Sequence, residues 1–268
     1  VAPSLLLFTE ASPFDARTYE ELRRAAETFP ASGRPAGRRR TRSSVALVGS
    51  TVDGDDRVLA ALLHSVSRRP YADCLERVKA AGAARRKDFV RAAFRSMEFY
   101  DFPLREFEHA DLAYDVVVSA SCFAQLKRHR MATLTQQRYA PALGVTVPPS
   151  VREIGAEKEF LAMIDRTNEA HASLAKSVGA AADYVLTNAH RRRALLKLNL
   201  RELYHIARLR QDASAQWEIR AVAAEMSRLA KKVMPLACLL LGGKDAYPEF
   251  YARVFGERPR AVPPKVLQ

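Results

Sequence analysis

The chain has 268 residues, 48% of them hydrophobic, and carries 43 Lys and Arg against 30 Asp and Glu, a formal net charge of +13. That length suits one large domain or two small ones, and that apolar content excludes a mostly disordered protein. No apolar run reaches the roughly 18 residues of a membrane span; the longest, residues 233–241, contains Pro235 and reads as a buried helix end.

The surplus positive charge favours anionic partners such as phosphorylated small molecules, nucleic acid or an acidic membrane. A solvated, arginine-rich surface is the plainer account of it. Cys74, Cys122 and Cys238 are far apart, odd in number and form no CxxC pair. They suggest neither a zinc site nor a disulfide framework, and a reduced, cytoplasmic setting is expected.

Residues 1–44 read as an amino-terminal helical appendage followed by a basic linker. The chain does not open on Met, as expected of a trimmed chain or a piece of a longer one, and residues 4–8 are too short an apolar core for a signal peptide. Residues 15–29 carry helical spacing (Tyr19, Leu22, Ala26, Phe29), with Asp15 placed to cap the helix. A Pro- and Gly-rich stretch and the run Arg38-Arg39-Arg40-Thr41-Arg42 then read as a solvated linker, or less favourably as an arm that grips nucleic acid.

Residues 45–268 read as the main domain. Residues 45–49 make a short strand, and Asp53-Gly54-Asp55-Asp56 turns the chain and caps a helix over 57–66. Residues 71–97 are expected to form one helix. Residues 112–118, with Val116-Val117-Val118, are the clearest strand. A helix capped by Ser119 or Ser121 follows, reaching about residue 130. After Pro141, Pro148 and Pro149, helices are expected over 151–176, 180–192, 194–210 and 214–240, the last closed by Gly242-Gly243 as a C-cap. The fold class is α+β and helix-rich.

No GxGxxG follows a strand, Gly242-Gly243-Lys244 lies after a helix without phosphate-loop spacing, and GxSxG and HExxH are absent. The six histidines show no metal-ligand spacing.

Two segments point to chemistry. In Gln125-Leu126-Lys127-Arg128-His129-Arg130, two guanidiniums flank an imidazole just after an apolar strand and helix start. In an extended stretch Arg128 and Arg130 would point the same way, which suits two oxyanions of a diphosphate; a solvated basic helix end is the alternative. In residues 199–210 the leucine spacing predicts a helix that puts Arg201 and His205 on one face, with Asn199 and Arg210 nearly aligned three turns apart. Such a face can hydrogen-bond a polar ring or a nucleotide, or simply meet solvent.

Together these segments resemble the flavin-dependent thymidylate synthases. That family carries RHRxxSxNExSxRY, with a Gln three residues before it, and a later stretch similar to N-A-R-S-L-x-H-F-L-x-L-R-x-D-x-x-A-Q-W-E-I. The first is matched by Gln125, Arg128-His129-Arg130 and Arg138-Tyr139, the second by Asn199, Arg201, His205, Arg210, Asp212 and Ala215-Gln216-Trp217-Glu218-Ile219. Phe107-Glu108-His109-Ala110 resembles a further family segment, so the likeness spans roughly residues 45–235.

The resemblance implies a helix-rich domain with a small antiparallel sheet, assembled as a homotetramer with sites between subunits. It implies methylation of C5 of dUMP by way of reduced FAD, with methylenetetrahydrofolate as the carbon donor and NADPH as the reductant. By matching position, Arg128, His129, Arg130, Asn199, Arg201 and His205 would hold FAD, Gln125 and Arg138 would hold the nucleotide, and Arg210 would contact the uracil ring as the catalytic residue. FAD, NADPH, folate and dUMP are all anions, which would give the net charge a use. The chain departs from the pattern at Thr133, Thr135 and Gln136, where the family has Ser, Asn and Glu, and the motif is two residues shorter before Arg138. Asp183 stands where the pattern has a nucleotide-holding Arg, and Phe102-Pro103 lies where a flavin-facing His is expected. Losing a charged hydrogen bond at position 183 costs about 1.5–3 kcal/mol, a roughly ten- to hundredfold weaker grip on phosphate.

Overall fold

The computed structural model describes residues 12–29 and 44–263. The chain divides into two compact units, residues 1–42 and 43–268. In the first, α1 (Pro13–Ala26) has Ser12 at its N-cap without a side-chain hydrogen bond, so Asp15 lies within the first turn and not at the cap. Phe14, Tyr19, Leu22 and Phe29 are exposed. The basic run at 38–42 lies outside the described residues.

The second unit is organised by a four-stranded antiparallel sheet, β1 (Val45–Ser50), β2 (Asp111–Ser119), β3 (Thr133–Gln136) and β4 (Arg191–Asn199), in the order β1-β2-β4-β3. In β2 the alternate residues Leu112, Tyr114, Val116 and Val118 are fully buried and their neighbours half-exposed, as expected of a sheet with one covered face. Burying each such large side chain contributes roughly 1.5–3 kcal/mol. The cover includes α9 (Trp217–Val233), whose Ile219, Val222, Ala223, Met226 and Ala230 join the same core. The Tyr114 hydroxyl donates to the Met226 carbonyl across this layer at 3.0 Å.

Residues 191–199, expected as the end of a helix over 180–192 and the start of one over 194–210, are the strand that pairs most fully with β2, from Asp111↔Asn199 to Ser119↔Arg191. Their leucines follow a period of two: Ala194, Leu196 and Leu198 are buried, while Leu195 and Lys197 are exposed. The preceding residues form a short 3-10 stretch, Gly179–Val185. Residues 71–97 contain two helices, α3 (Tyr71–Ala80) and α4 (Ala83–Phe94), separated where Ala81 and Gly82 turn extended. Helix 151–176 is likewise divided into α6 (Pro149–Glu153) and α7 (Glu157–Val178) at Gly155, whose φ is 73°. Helix α9 stops at Val233, because Pro235 disfavours helical backbone at Met234. Gly242-Gly243 is therefore no C-cap: side chains there would run into the Phe250 ring and Gln211. Helix α2 (Gly54–Ser65) begins after Asp53, whose carboxylate pairs with Lys79 at 2.9 Å instead of capping.

Both inner strands run directly into helices. Ser119 caps α5 (Ala120–Leu126), its hydroxyl accepting from the Cys122 N–H at 3.0 Å, and Asn199 caps α8 (Leu200–Arg210), its Oδ1 accepting from the Glu202 N–H at 2.8 Å. The strands are antiparallel, so these helices leave opposite ends of the pair. Glu218 fixes one exit, accepting from the Ser119 N–H at 3.0 Å, the Ser119 hydroxyl and the Thr146 hydroxyl at 3.1 Å. Helix α10 (Tyr247–Phe255) closes the described order. No helix among the described residues is long and apolar enough to cross a membrane.

Candidate active site

Helix α5 ends at Leu126 and the chain turns, with the His129 N–H bonded to the Leu126 carbonyl at 3.1 Å and the Ala132 N–H to the His129 carbonyl at 3.1 Å. The helix therefore stops short of residue 130, where it was expected to reach, and residues 128–130 turn and do not run extended. The turn buries His129 and leaves Arg128 and Arg130 exposed, with no side-chain hydrogen bond or ion pair among the described residues.

His129 meets both ends of α8. The Arg210 Nε–H donates to His129 Nε2 at 3.0 Å, and its terminal nitrogens donate to Gln125 Oε1 at 3.3 Å and the Gln125 carbonyl at 3.5 Å. On its other side, His129 Nδ1 lies 3.3 Å from Glu202 Oε1, and both of these side chains are almost fully buried. Burial, and next the charge of Arg128, lower the Arg210 guanidinium from its ordinary range. A guanidinium has five N–H donors; those contacts leave one free on each terminal nitrogen, a fork able to meet a planar anion.

Toward the start of α8, Phe102, Glu108, Met131, Asn199, Arg201, Glu202 and His205 line a cavity of about 280 Å³. Arg201 donates from Nε to the Pro103 carbonyl at 2.8 Å and from Nη1 to Glu108 at 3.1 Å. Phe102 stacks against His205 (5.4 Å between ring centres) and lies under the guanidiniums of Arg208 (4.1 Å) and Arg201 (5.7 Å). The His205 Nδ1 is buried and has no hydrogen-bond partner among the described residues. Burial, with the neighbouring His129, Arg208 and Arg210, holds its imidazole below the ordinary value, against the pull of Glu202. His205 thus lines the cavity while its own Nδ1 is left without an internal partner, and Asn199 and Arg201 on the same wall supply polar groups suited to a polar ring.

His129, Glu202 and His205 bring their ligand atoms within 4.8 Å of one another, the composition of a divalent-metal site. Arg210 argues against that reading. A neutral imidazole has one in-plane lone pair, and here Arg210 occupies it at Nε2, leaving Nδ1 protonated toward Glu202.

Arg138 sits apart from this group. It follows β3 and approaches Asp183 at 3.9 Å, while Asp183 also pairs with His171 at 3.0 Å. The cations at 191–193 each have a local partner: Arg191 bonds Thr146 at 3.0 Å, Arg193 bonds Asp115 at 3.0 Å, and Arg192 lies between the Phe123 and Tyr139 rings. They form no open basic patch.

The structure thus brings together Gln125, His129, Asn199, Arg201, His205 and Arg210. Glu202 was not singled out from the sequence; Glu108 was named only within the segment 107–110, and Phe102 only as standing where a flavin-facing His is expected. The spacing Asn199-x-x-Glu202 marks a capping box, which could have flagged the carboxylate; its reach to His129 has no local signal.

Residues 46–236 match the family model of thymidylate synthase complementing protein, and the chain belongs to that family. It is 36% identical over 138 residues to a flavin-dependent thymidylate synthase of Geobacter sulfurreducens, covering 48% of this chain and 60% of that one. A flavin-dependent thymidylate synthase of Sulfolobus acidocaldarius is 35% identical over 136 residues, 48% of this chain and 52% of that one. The chain matches only about half to three-fifths of the length of these curated relatives. Among solved structures, a UMP/dUMP methylase PolB from Streptomyces cacaoi bound with 5-Br dUMP superposes with a TM-score of 0.57 over 72% of this chain and 92% of that one. At 21% identity, that likeness shows the fold.

Proposed function

We propose that this protein is a flavin-dependent thymidylate synthase-like methyltransferase that binds FAD along α8 and presents a pyrimidine nucleotide, dUMP or a close relative, to Arg210. The observation that carries this reading is the Gln125–Arg210–His129 cluster, a half-buried guanidinium with two donors still free, beside a cavity that His205 helps to line. Asn199, Arg201 and His205 would hold the flavin ring system, with Arg128 and Arg130 free to meet its diphosphate. Bound flavin would supply the one-carbon transfer from methylenetetrahydrofolate and the hydride drawn from NADPH. The chain's own part is electrostatic: Arg210 stabilises negative charge at N3 or O4 of the uracil, which makes C5 more nucleophilic.

A homotetramer in the cytoplasm belongs to the same proposal. Helix α7 supports assembly, since Ile164 alone among its described residues is fully buried while Leu161, Met163 and Leu174 remain exposed. Residues 1–44 are proposed as a separate appendage to the flavin-binding domain 45–268.

The test is the purified protein's flavin spectrum, then tritium release from 5-labelled dUMP with NADPH and methylenetetrahydrofolate. A colourless protein that takes up no FAD would end the reading. A second reading, an FAD-binding paralogue with lost or altered nucleotide specificity, is favoured by the contact of Arg138 with Asp183. Retained FAD without tritium release would select it.

A further inference from the structure

We infer that Glu202 is a positioning residue: through the imidazole of His129 it fixes the guanidinium of Arg210. Glu202 lies in the first turn of α8, where the helix dipole favours a carboxylate and the Asn199 cap holds its backbone N–H. Its side chain is buried, and a buried carboxylate requires a donor. The donor is defined by the next link. Arg210 can only donate, so the 3.0 Å contact from its Nε–H makes His129 Nε2 an acceptor, and the ring proton must then sit on Nδ1, 3.3 Å from Glu202. Carboxylate, imidazole and guanidinium form a directed chain in which each group fixes the next.

Removing the acceptor at Glu202 breaks this chain at its start. The imidazole proton is then free to move to Nε2, where it faces the Arg210 Nε–H as donor against donor. The guanidinium would keep only its longer contacts to Gln125, at 3.3 and 3.5 Å. The claim about position stands on geometry; its consequence for nucleotide affinity rests on the reading of Arg210 given above.

The experiment labels histidine ring nitrogens and arginine Nε with 15N in the full chain and uses His129→Gln and Arg210→Lys to assign the signals. Long-range 1H–15N correlation should show His129 protonated on Nδ1 in the wild type and in Glu202→Gln, whose amide oxygen still accepts. In Glu202→Met, of similar length but with no acceptor, the Nδ1–H pattern should be lost and the protected Arg210 Nε–H signal should broaden into exchange. The dissociation constant for dUMP should then rise about tenfold, the scale of one weakened hydrogen bond to a charged group. Glu202→Ser removes the acceptor with less bulk and decides the matter if the Met variant does not fold. An Nε2–H pattern in the wild type overturns the inference, as does an Arg210 signal unchanged in folded Met or Ser variants. A wild type that binds no dUMP would sink the nucleotide reading and leave the ring-proton pattern to decide this one.

Discussion

Two clusters in this molecule contain the same three groups in different order. At the end of α8 the imidazole is in the middle, with Glu202 on one side of His129 and Arg210 on the other. Beside α7 the carboxylate is in the middle, with Asp183 between His171 and Arg138. The order decides the outcome. An intervening ring keeps the carboxylate away from the Arg210 guanidinium, which stays a positioned cation with donors to offer. The carboxylate 3.9 Å from Arg138 offsets part of its charge, and its field at a phosphate is reduced accordingly. Burial reinforces the contrast: the His129 and Glu202 side chains are 3% and 9% exposed, whereas Arg138 is 51% exposed. The first cluster is held rigid by packing; the second is open to water and salt.

The strongest way to break the contrast is to remove a cation that the structure has anchored twice. Arg201→Ala forfeits the contacts to Glu108 and the Pro103 carbonyl and leaves the cavity wall under Phe102 unsupported. A lost charged hydrogen bond of about 1.5–3 kcal/mol corresponds to roughly ten- to hundredfold weaker flavin retention. Flavin-to-protein absorbance after gel filtration measures it. Unchanged occupancy, with an unchanged far-UV circular dichroism spectrum, would count against placing the flavin on α8.

Reversing the charge in the open cluster should give the next largest effect, with the opposite sign. Asp183→Arg removes the carboxylate that faces Arg138 and adds a second guanidinium. Titration calorimetry should find dUMP bound about tenfold more tightly, with the gain shrinking as salt is raised. No gain at low salt would mean that the phosphate is held elsewhere, and the comparison between the two clusters would lose its functional sense.

Acid should distinguish the buried region through His205. Its folded value is held below the ordinary imidazole value, first by burial. The unfolded chain therefore takes up a proton at higher pH than the folded one, so this contribution is present above pH about 6.5 and is lost as the pH falls below it. Urea unfolding at pH 7.5 and 5.5 should show stability falling on acidification, and falling less in His205→Gln. An equal loss in the variant would assign the acid sensitivity to another group, such as His190, which burial also lowers.

How much of this was legible in the sequence follows the range of the interactions. Helix α8 and its partners Arg201 and His205 could be read from spacing and motif, because a helix face is set by local geometry. Strand β4 was misread as helix, although Ala194, Leu196 and Leu198 alternate with Leu195 and Lys197; the leucine content outweighed a period-two pattern that only pairing with β2 makes decisive. The Asp183 departure was visible as a residue. Its contact with Arg138 was not, since the two are brought together across residues 139–182 by the course of the chain around α7. Glu202 shows the same limit: its cap is local and its imidazole partner is not.

The smallest expected effect is also the one that isolates burial from composition. Arg138 and Asp183 are 3.9 Å apart, with half of the arginine in water. Pairs of that kind are worth about 0–1 kcal/mol and are screened by salt. Arg138→Ala should therefore shift the urea midpoint barely at all, by less than about 0.5 kcal/mol, and the difference should vanish at 1 M salt. Asp183 keeps His171 in that variant, so no carboxylate is stranded. A loss of several kcal/mol would mean that Arg138 supports the fold around α7, and its exposure to an incoming phosphate would no longer be the reason it stands there.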